Sequence, residues 1–584
     1  MKPINKLTIK KRTPDDYKNY NSDKIEALYP VVTWGKYADT DKRLNELPVD
    51  YLQWLAMNFS CPYIRSAALA ALRDDPAPDP FNFVYLSLIK MDKGDKIGIS
   101  APYCLKNHIK DIPDRKWEPD HKLWSLPLYS YQDVVDTFPE AIISDKLTHR
   151  LDQDHTYQSE ITDLQFATDY PVDTYYSLYP YQRVALQFLI KNNGNALLSL
   201  DQGTGKTIIA LEYCLKGNLP SLVVCPKIVK SVWTDEIDDK YDLTYTVLNG
   251  IKPHPVEPVD ITIMNYELLD GWKDHLNGFK FIIFDESHYL KSKDSKRTRA
   301  ATQIAKTCKS LLMTGTPIMT HVKDLYPQLK IIAPETFGDY YGFTARYCNG
   351  HTNDKFGFWD ATGSSNLNEL NARLNSSCMF RRVKKDIMPD LPDKTISTIH
   401  IDNPNIDRYN MIDQSDITGL TEAIMWVSRH KIKGSIAFIT DLFKTVDSVI
   451  YFSTHRDNLH AVASHFKVPY IDGGVPQKSR EPLINAFKNG SLNLLCMNIK
   501  SGGMGINLQD NCSTVVIGET SWSPSVNDQA IDRVHRINQT NPVNVYYIIM
   551  KDSIDEYIEK QVIYKGKIIK SVVELHNLIK DSFT

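Results

Sequence analysis

The stretch LLSLDQGTGKTIIALEY, Leu197 to Tyr213, sets a glycine-rich turn between an apolar run and a helical one. Gly203 and Gly205 carry no side chains, so backbone N–H groups can curl around phosphate oxygens, with Thr204 inside the same loop. A helix starting near Lys206 turns its positive end toward the same charge. The Lys206 ammonium suits β and γ phosphates and the Thr207 hydroxyl suits Mg2+, so the chemistry is that of ATP. A glycine turn that binds nothing is the bland alternative, and the strand context and GKT ending argue against it. Downstream, FIIFDESHYL brings an acidic pair out of a buried strand, where idle carboxylates would be costly. Asp285 would hold Mg2+ through its water shell and Glu286 would polarise the attacking water as general base. In NDQAIDRVHRINQT, Asn527 to Thr540, Arg533 and Arg536 fall one helical turn apart on a predicted helix face. Two solvated arginines are the usual meaning of such a pair. Here the anion to expect is the γ-phosphate, whose transferring charge an arginine finger meets with a gain of ~10³ to 10⁵ in rate.

Positioning these groups takes two α/β domains. From about residue 195 short aliphatic runs (ALLSL, SLVVC, ITIM, FIIF, SLLMT) alternate with helical periodicity, which reads as a buried parallel sheet with covering helices. A second series, SVIYF, PYI, LNLLCM, STVVIG and NVYYII, starts near 448. The lysine loop lies in the first domain and the arginines in the second, so hydrolysis requires the two to close on each other. Residues 335 to 440 carry helical and polar text that fits neither sheet. The fold class is therefore α/β: two tandem parallel-sheet lobes, which resemble RecA-like lobes, with a helical insertion and small N-terminal α+β modules. The boundaries are 1–75 for a small module, 76–165 for a second module, 170–400 for the first lobe with its insertion at 335–395, and 401–584 for the second lobe.

At 584 residues the chain is too long for one ordinary core. Its net charge of -3 supplies no global basic field, so any contact with a polyanion must be local. Nine cysteines without C-x-x-C spacing point to a reducing compartment and away from structural zinc. No apolar run of membrane length or signal-peptide core is present, which sets the expected location as bacterial or phage-infected cytoplasm, or a nucleus in a eukaryote.

Taken together, these motifs resemble the Swi/Snf-type branch of superfamily-two DNA translocases, over roughly residues 175 to 575. The loop itself follows the x-x-G-x-G-K-T form of superfamily-two helicases, since the longer form would need glycine where Leu200 stands. YPYQRVALQFL resembles the family's opening motif, in which Gln182 would read the adenine. VVCPKIVKSVWTDEI and IMNYELL resemble first-lobe segments that lie along a DNA strand. MTGTP resembles the motif that couples the ATP site to DNA, through Thr314, Gly315 and Thr316. The run NIKSGGMGINLQDNCSTVVIGETSWSPSVNDQAIDRVHRINQT resembles the closing motifs, with Gly505 at the nucleotide and Gln529, Arg533, Arg536 and Gln539 in register. Glu519 stands where an aspartate is usual and Asn538 where a glycine is; both should change local turn geometry and leave activity intact.

A narrower likeness is to the annealing-helicase subgroup that remodels stalled replication forks, carried by DESHYLKSKDSKRTRA, KDLYPQL, FGDYYGFTARYC and MFRRVKKDIMPDLPDK. APYCLKNHIKDIPDRKWEPDHKLWSLPL, Ala101 to Leu128, resembles that subgroup's HARP substrate-recognition domain. It implies a helix with Lys106 and Lys110, then two strands turning at Pro119 and Asp120, with Trp117 and Trp124 beside Arg115, Lys116 and Lys122. Those cations are DNA-contact candidates, and the tryptophans are weighed as the hairpin's own core. Further candidates are Lys291, Lys293, Lys296, Arg297 and Arg299, and Arg381, Arg382, Lys384 and Lys385, unless each cluster is only a solvated face. Upstream, Pro48 suits the first turn of a helix burying Tyr51, Leu52 and Leu55, with Trp54 expected in the core.

These resemblances imply a monomeric ATP- and Mg2+-dependent translocase on double-stranded or branched DNA, working in fork remodelling or strand annealing. Single-strand-binding or replication proteins are its expected partners. A remodeller that displaces proteins from DNA and a nucleotide-gated clamp without productive hydrolysis are the other readings.

Overall fold

Aliphatic runs of four or five residues have two faces to bury, and a parallel sheet covered on both sides satisfies them. The computed structural model describes residues 42–91, 94–353, 357–388, 390–414, 417–500, 508–536 and 539–574. The described residues form two compact units: 42–160 together with 335–342, and 161–334 together with 343–574.

In the first unit, helices Val49–Asn58 and Pro62–Arg73 enclose a small core of Leu44, Leu52, Leu55, Tyr63 and Ala67. Pro48 caps the first helix, as its fixed φ suits. Trp54 departs from expectation: it is 49% exposed and stacks on Tyr51 at 5.8 Å. It sits two positions from Leu52, which on a helix turns a side chain to the opposite side. A five-stranded sheet follows, built from β1 (Tyr85–Met91), β2 (Gly94–Ser100), β3 (Lys116–Glu118), β4 (Leu123–Pro127) and β5 (Ile142–Ile143) in the order β3-β4-β2-β1-β5. Helix Lys106–Asp111 links β2 to β3. Trp117 pairs with Trp124 across the β3–β4 hairpin, ring centroids 5.4 Å apart. Only Trp124 packs against the core; Trp117 is exposed.

The second unit holds two parallel sheets. β6 (Ala196–Leu200), β7 (Ser221–Cys225), β8 (Tyr245–Val247), β9 (Ile261–Asn265), β10 (Phe281–Asp285) and β11 (Lys309–Met313) belong to the first; a small hairpin of β12 (His351–Thr352) and β13 (Trp359–Asp360) precedes its last strand, β14 (Met379–Arg382). The seven strands run β14-β6-β11-β10-β7-β9-β8, every pair parallel. The second sheet runs β15-β20-β19-β16-β18-β17, from β15 (Lys394–Ile401), β16 (Val449–Ser453), β17 (Tyr470–Ile471), β18 (Leu494–Asn498), β19 (Thr514–Ile517) and β20 (Val543–Met550). All its pairs are parallel as well. This is a tandem of RecA-like lobes, and loops at the carboxyl ends of such strands are where ligands sit.

Two details correct the sequence reading. β14 lies inside the segment expected to fit neither sheet, yet it pairs with β6 from Met379↔Leu197 to Arg382↔Leu200, because both arginines find buried partners. β15 starts before the expected lobe boundary at 400 and pairs with β20 along its whole length, so the chain crosses between lobes from Arg382 to Lys394.

Candidate active site

β6 delivers the glycine loop and helix Lys206–Leu215 carries it onward. Gly203 and Gly205 take φ of 78° and 76°, left-handed values that favour glycine. A Cβ on Gly205 would also come within 2.3 Å of Gln182 Nε2, so that position excludes a side chain twice over. Gln182 is buried; its Nε2 donates to the Thr204 carbonyl at 3.2 Å and its Oε1 accepts from the Tyr179 N–H at 2.9 Å. Tyr181 donates to the same Thr204 carbonyl at 2.9 Å, and the Thr204 hydroxyl donates to the Asp201 carbonyl at 2.7 Å. Lys206 Nζ bonds the carbonyls of Leu200 at 2.9 Å and Asp201 at 3.1 Å. Burial lowers the Lys206 pKa, against the pull of Glu286, Asp285 and Asp201.

Asp285 ends β10. Its Oδ2 accepts from Trp233 Nε1 at 3.0 Å, its Oδ1 from the Glu286 N–H at 2.9 Å, and its carbonyl from the Tyr266 hydroxyl at 2.8 Å. Trp233 and Tyr266, from segments expected along a DNA strand, thus buttress the acidic pair from within. Burial and the neighbouring Glu286 push the Asp285 pKa upward. Burial alone would lift Glu286 too, but His288, Lys206 and Arg533 outweigh it and hold its pKa low. Glu286 takes a left-handed φ of 51°, and its Oε2 lies 3.3 Å from both His288 Nδ1 and Thr314 Oγ1. The Thr314 hydroxyl also accepts from the Thr316 N–H at 3.1 Å, tying the acid to the next loop. Asp285 and Thr207 offer only oxygen donors, the chemistry that suits a hard cation such as Mg2+.

The second lobe closes the site. A Cβ on Gly203 would stand 3.1 Å from Arg536 Nη2, and Arg533 is buried and attracted by Glu286. Neither arginine lies on a helix face: helix Pro524–Ile531 stops before them and a turn carries both. The turn is drawn in by Leu508 N–H donating to the Arg533 carbonyl at 3.0 Å and by burial of Val534 in the core. Gln529 Nε2 donates to Thr316 Oγ1 at 2.9 Å, bringing together the expected coupling residues. Gly315 packs with its Cβ position 3.3 Å from the Leu200 carbonyl. Ser523 and Ser525, which the sequence reading passed over, donate to the carbonyls of Met319 and Ile318, each at 2.7 Å. Small polar residues flanking Pro524 at a helix start were the available signal. Asp324 Oδ2 holds that loop in place, accepting from the N–H groups of Met319 at 3.2 Å, Thr320 at 2.8 Å and His321 at 3.2 Å.

Glu519 is a structural anchor. Its Oε2 accepts from Ser453 Oγ at 2.5 Å, Thr454 N–H at 3.0 Å and His455 N–H at 2.8 Å, and its Oε1 meets His455 Nδ1 at 3.1 Å. Gly505 and Asn538 lie outside the described residues.

Among the DNA-contact candidates, Lys110, Arg115, Lys116 and Lys122 are exposed, and Lys106 is half-buried beside the Tyr103 ring. Lys296 and Arg297 are exposed at the start of helix Lys296–Ile304. Arg381 and Arg382 are not available for such contact. Arg381 pairs with Asp201 at 2.9 Å, and Arg382 donates to the carbonyls of Leu164 and Ala167, both at 3.1 Å. Lys384, from the same basic run, is 4% exposed and faces the second lobe.

Family models match in tandem: an SNF2-related domain over residues 181–446 and a helicase conserved C-terminal domain over 434–538. The chain is similar to the SWI/SNF-related matrix-associated actin-dependent regulator of chromatin subfamily A-like protein 1 of Xenopus laevis. Identity there is 28% over 505 residues, covering 79% of this chain and 52% of the frog protein. It is 30% identical over 418 residues to the DNA annealing helicase and endonuclease ZRANB3 of Homo sapiens, covering 65% of this chain and 39% of that one. The chain thus spans about half, or less, of these relatives. A solved Sulfolobus solfataricus SWI2/SNF2 ATPase core in complex with dsDNA aligns at 23% identity over 70% of this chain and 99% of its own, with a TM-score of 0.35. Among the described residues no helix is long and apolar enough to cross a membrane. With both domain models matched one after the other, the chain is built from an SNF2-related domain followed by a helicase conserved C-terminal domain.

Proposed function

We propose that the chain is a DNA-dependent ATPase that turns hydrolysis into movement along duplex or branched DNA. The observation that carries this reading is the seating of second-lobe Arg536 against Gly203 of the first-lobe loop, with Arg533 drawn to Glu286. Gly203, Thr204, Gly205 and Lys206 bind the phosphates, and Gln182, with Tyr179 beside it, meets the adenine. Mg2+ held by Thr207 and Asp285 supplies charge neutralisation for the phosphates. Glu286, kept anionic, accepts a proton from the attacking water, and the two arginines meet the charge of the transferring group. Because the fingers come from the other lobe, turnover follows closure, and Thr314, Gly315, Thr316 and Gln529 link that closure to the DNA-facing loops. Both halves of the site belong to one chain, so a monomer suffices.

The finer reading is remodelling or annealing of replication-fork DNA in replication, repair or recombination. It is supported by the cation-rich hairpin of the first unit and by the annealing-helicase name of a relative. DNA would be gripped through phosphates by Lys110, Arg115, Lys116, Lys122, Lys296 and Arg297, without reading sequence. The test compares ATP hydrolysis with single-stranded, duplex and forked DNA, with Lys206→Ala as the blank. Strong stimulation by duplex or forked DNA with a silent blank is expected. Absence of hydrolysis under all three would instead favour a nucleotide-gated clamp.

A further inference from the structure

Asp201, Lys384 and Asp532 form a continuous line of contacts, through the backbone and then the side chain of Lys384, from the base of the glycine loop to the residue before Arg533. Asp201 directly follows β6, and its carbonyl accepts from Lys206 Nζ at 3.1 Å and Thr204 Oγ1 at 2.7 Å. Its carboxylate holds Arg381 Nη1 at 2.9 Å and the backbone N–H of Lys384 at 2.9 Å. The side chain of Lys384 then leaves the first lobe altogether. Its Nζ lies 3.0 Å from Asp532 Oδ1 and 2.7 Å from the His535 carbonyl, both in the second lobe.

The pair is almost free of solvent on the lysine side, with Lys384 at 4%. Burial would raise the Asp532 pKa; Lys384 and Lys394 outweigh it and keep the carboxylate ionised. A buried charge left without its partner is strongly unfavourable, so the two lobes gain a defined register where the pair meets. Asp532 and His535 bracket Arg533 and stand next to Arg536, which makes Lys384 a fixed point for the finger turn. The backbone of the same residue is fixed by the loop aspartate. One residue therefore touches, on opposite ends, the frame that holds the phosphate lysine and the frame that holds the fingers.

We propose that Lys384 is a positioning residue for hydrolysis: its ammonium latches Asp532, and so seats Arg533 and Arg536 over the glycine loop in the register that Asp201 sets. This rests on the ATPase reading above. Lys384 contacts no phosphate itself and acts through the turn that it anchors.

The test uses the full chain with saturating duplex DNA. Lys384→Met keeps the length and removes the charge, Lys384→Arg keeps the charge, and Asp532→Asn removes the other partner. Lys384→Met is expected to lower kcat about tenfold or more while KM for ATP stays within about twofold, with Lys384→Arg recovering most of the rate. Asp532→Asn should reproduce the loss, and the double variant should be no slower than either single one. An unchanged kcat, a loss confined to KM, or losses that multiply in the double variant overturns the proposal. Fluorophores on the two lobes give a readout that needs no turnover: with saturating ADP and beryllium fluoride, the closed fraction in Lys384→Met should fall about tenfold. Closure identical to wild type overturns the latch. A wild-type chain that closes but never hydrolyses ATP counts against the ATPase reading, and the closure comparison still decides the latch. Thermal melting of each variant separates either result from failure to fold.

Discussion

Arg536 and Gly203 are neighbours across the lobe boundary, with the guanidinium Nη2 3.1 Å from where a Cβ on the glycine would stand. A Cβ there would press on the guanidinium, and the left-handed φ of 78° at Gly203 disfavours a side chain independently. Arg536→Ala should lower duplex-stimulated kcat by about 10³ with little change in KM for ATP. Gly203→Ala should also slow turnover, by crowding the same guanidinium. Phosphate-release kinetics decide it; an Arg536→Ala rate within tenfold of wild type would be incompatible with a finger role.

Glu519 anchors the loop at 453–455 through three hydrogen-bond donors and the His455 ring. Glu519→Ala leaves those donors without their acceptor and should destabilise the second lobe by about 2 to 3 kcal/mol. Glu519→Asp, one methylene shorter, should lose less. Denaturant titration followed by a probe in the second lobe measures both.

The same pair sets a pH window. Burial works against Glu519, but His455 and Ser453 among its partners hold its pKa at about 2, below the ordinary 4.5. Its contribution to stability is therefore present above 4.5 and fades as pH falls toward 2. His455 is raised above its ordinary 6.5 by the bond to Glu519, so its contribution is complete below 6.5 and fades as pH rises through the raised value. The pair should stabilise most between about 4.5 and 6.5. His455→Gln should flatten the decline on the alkaline side, as read from unfolding midpoints against pH.

Lys431 and Asp555 form a buried ion pair at 2.5 Å, with the lysine side chain at 0% exposure. Asp555 Oδ2 also accepts from the Met550 N–H at 3.1 Å. Lys431→Met should cost about 3 to 5 kcal/mol by stranding the carboxylate. Pairing it with Asp555→Asn should restore much of that, because the amide needs no counter-charge. Guanidinium unfolding of the single and double variants provides the comparison.

Basic residues with different burial should separate in a salt titration. Lys296→Ala and Arg297→Ala are each expected to reduce the slope of log affinity for duplex DNA against log salt by about 1. Arg382→Ala should leave the slope unchanged and cost about 2 to 4 kcal/mol of stability, since its guanidinium fills buried carbonyl acceptors. A slope change for Arg382→Ala would return it to the DNA surface.

Local chemistry explains what could be read in advance. The glycine loop is legible because strand, turn and helix follow each other without a break, and Lys206 and Thr207 need only that order. The parallel strands are legible because doubly buried runs have no polar alternation. β14 was hidden because Arg381 and Arg382 look like solvent-facing charge until the carbonyls of Ser199 and Leu164 are seen beside them. The finger residues were recognisable by type, but not their turn, which depends on Leu508 meeting the Arg533 carbonyl. Lys384 was visible only as one member of a basic run, since Asp532 reaches it solely in the folded chain.

The serine hydroxyls that Ser523 and Ser525 lend to the carbonyls of Met319 and Ile318 also bear on how easily the halves part. Neutral bonds of this kind contribute only about 0.5 to 1.5 kcal/mol each, and water can replace them the moment they break. Their acceptors are main-chain atoms, so exchanging the side chains at 318 and 319 leaves the grip in place. A seam fastened in this way forms a shallow well, strong enough to select one alignment and weak enough to be left again after every product departs.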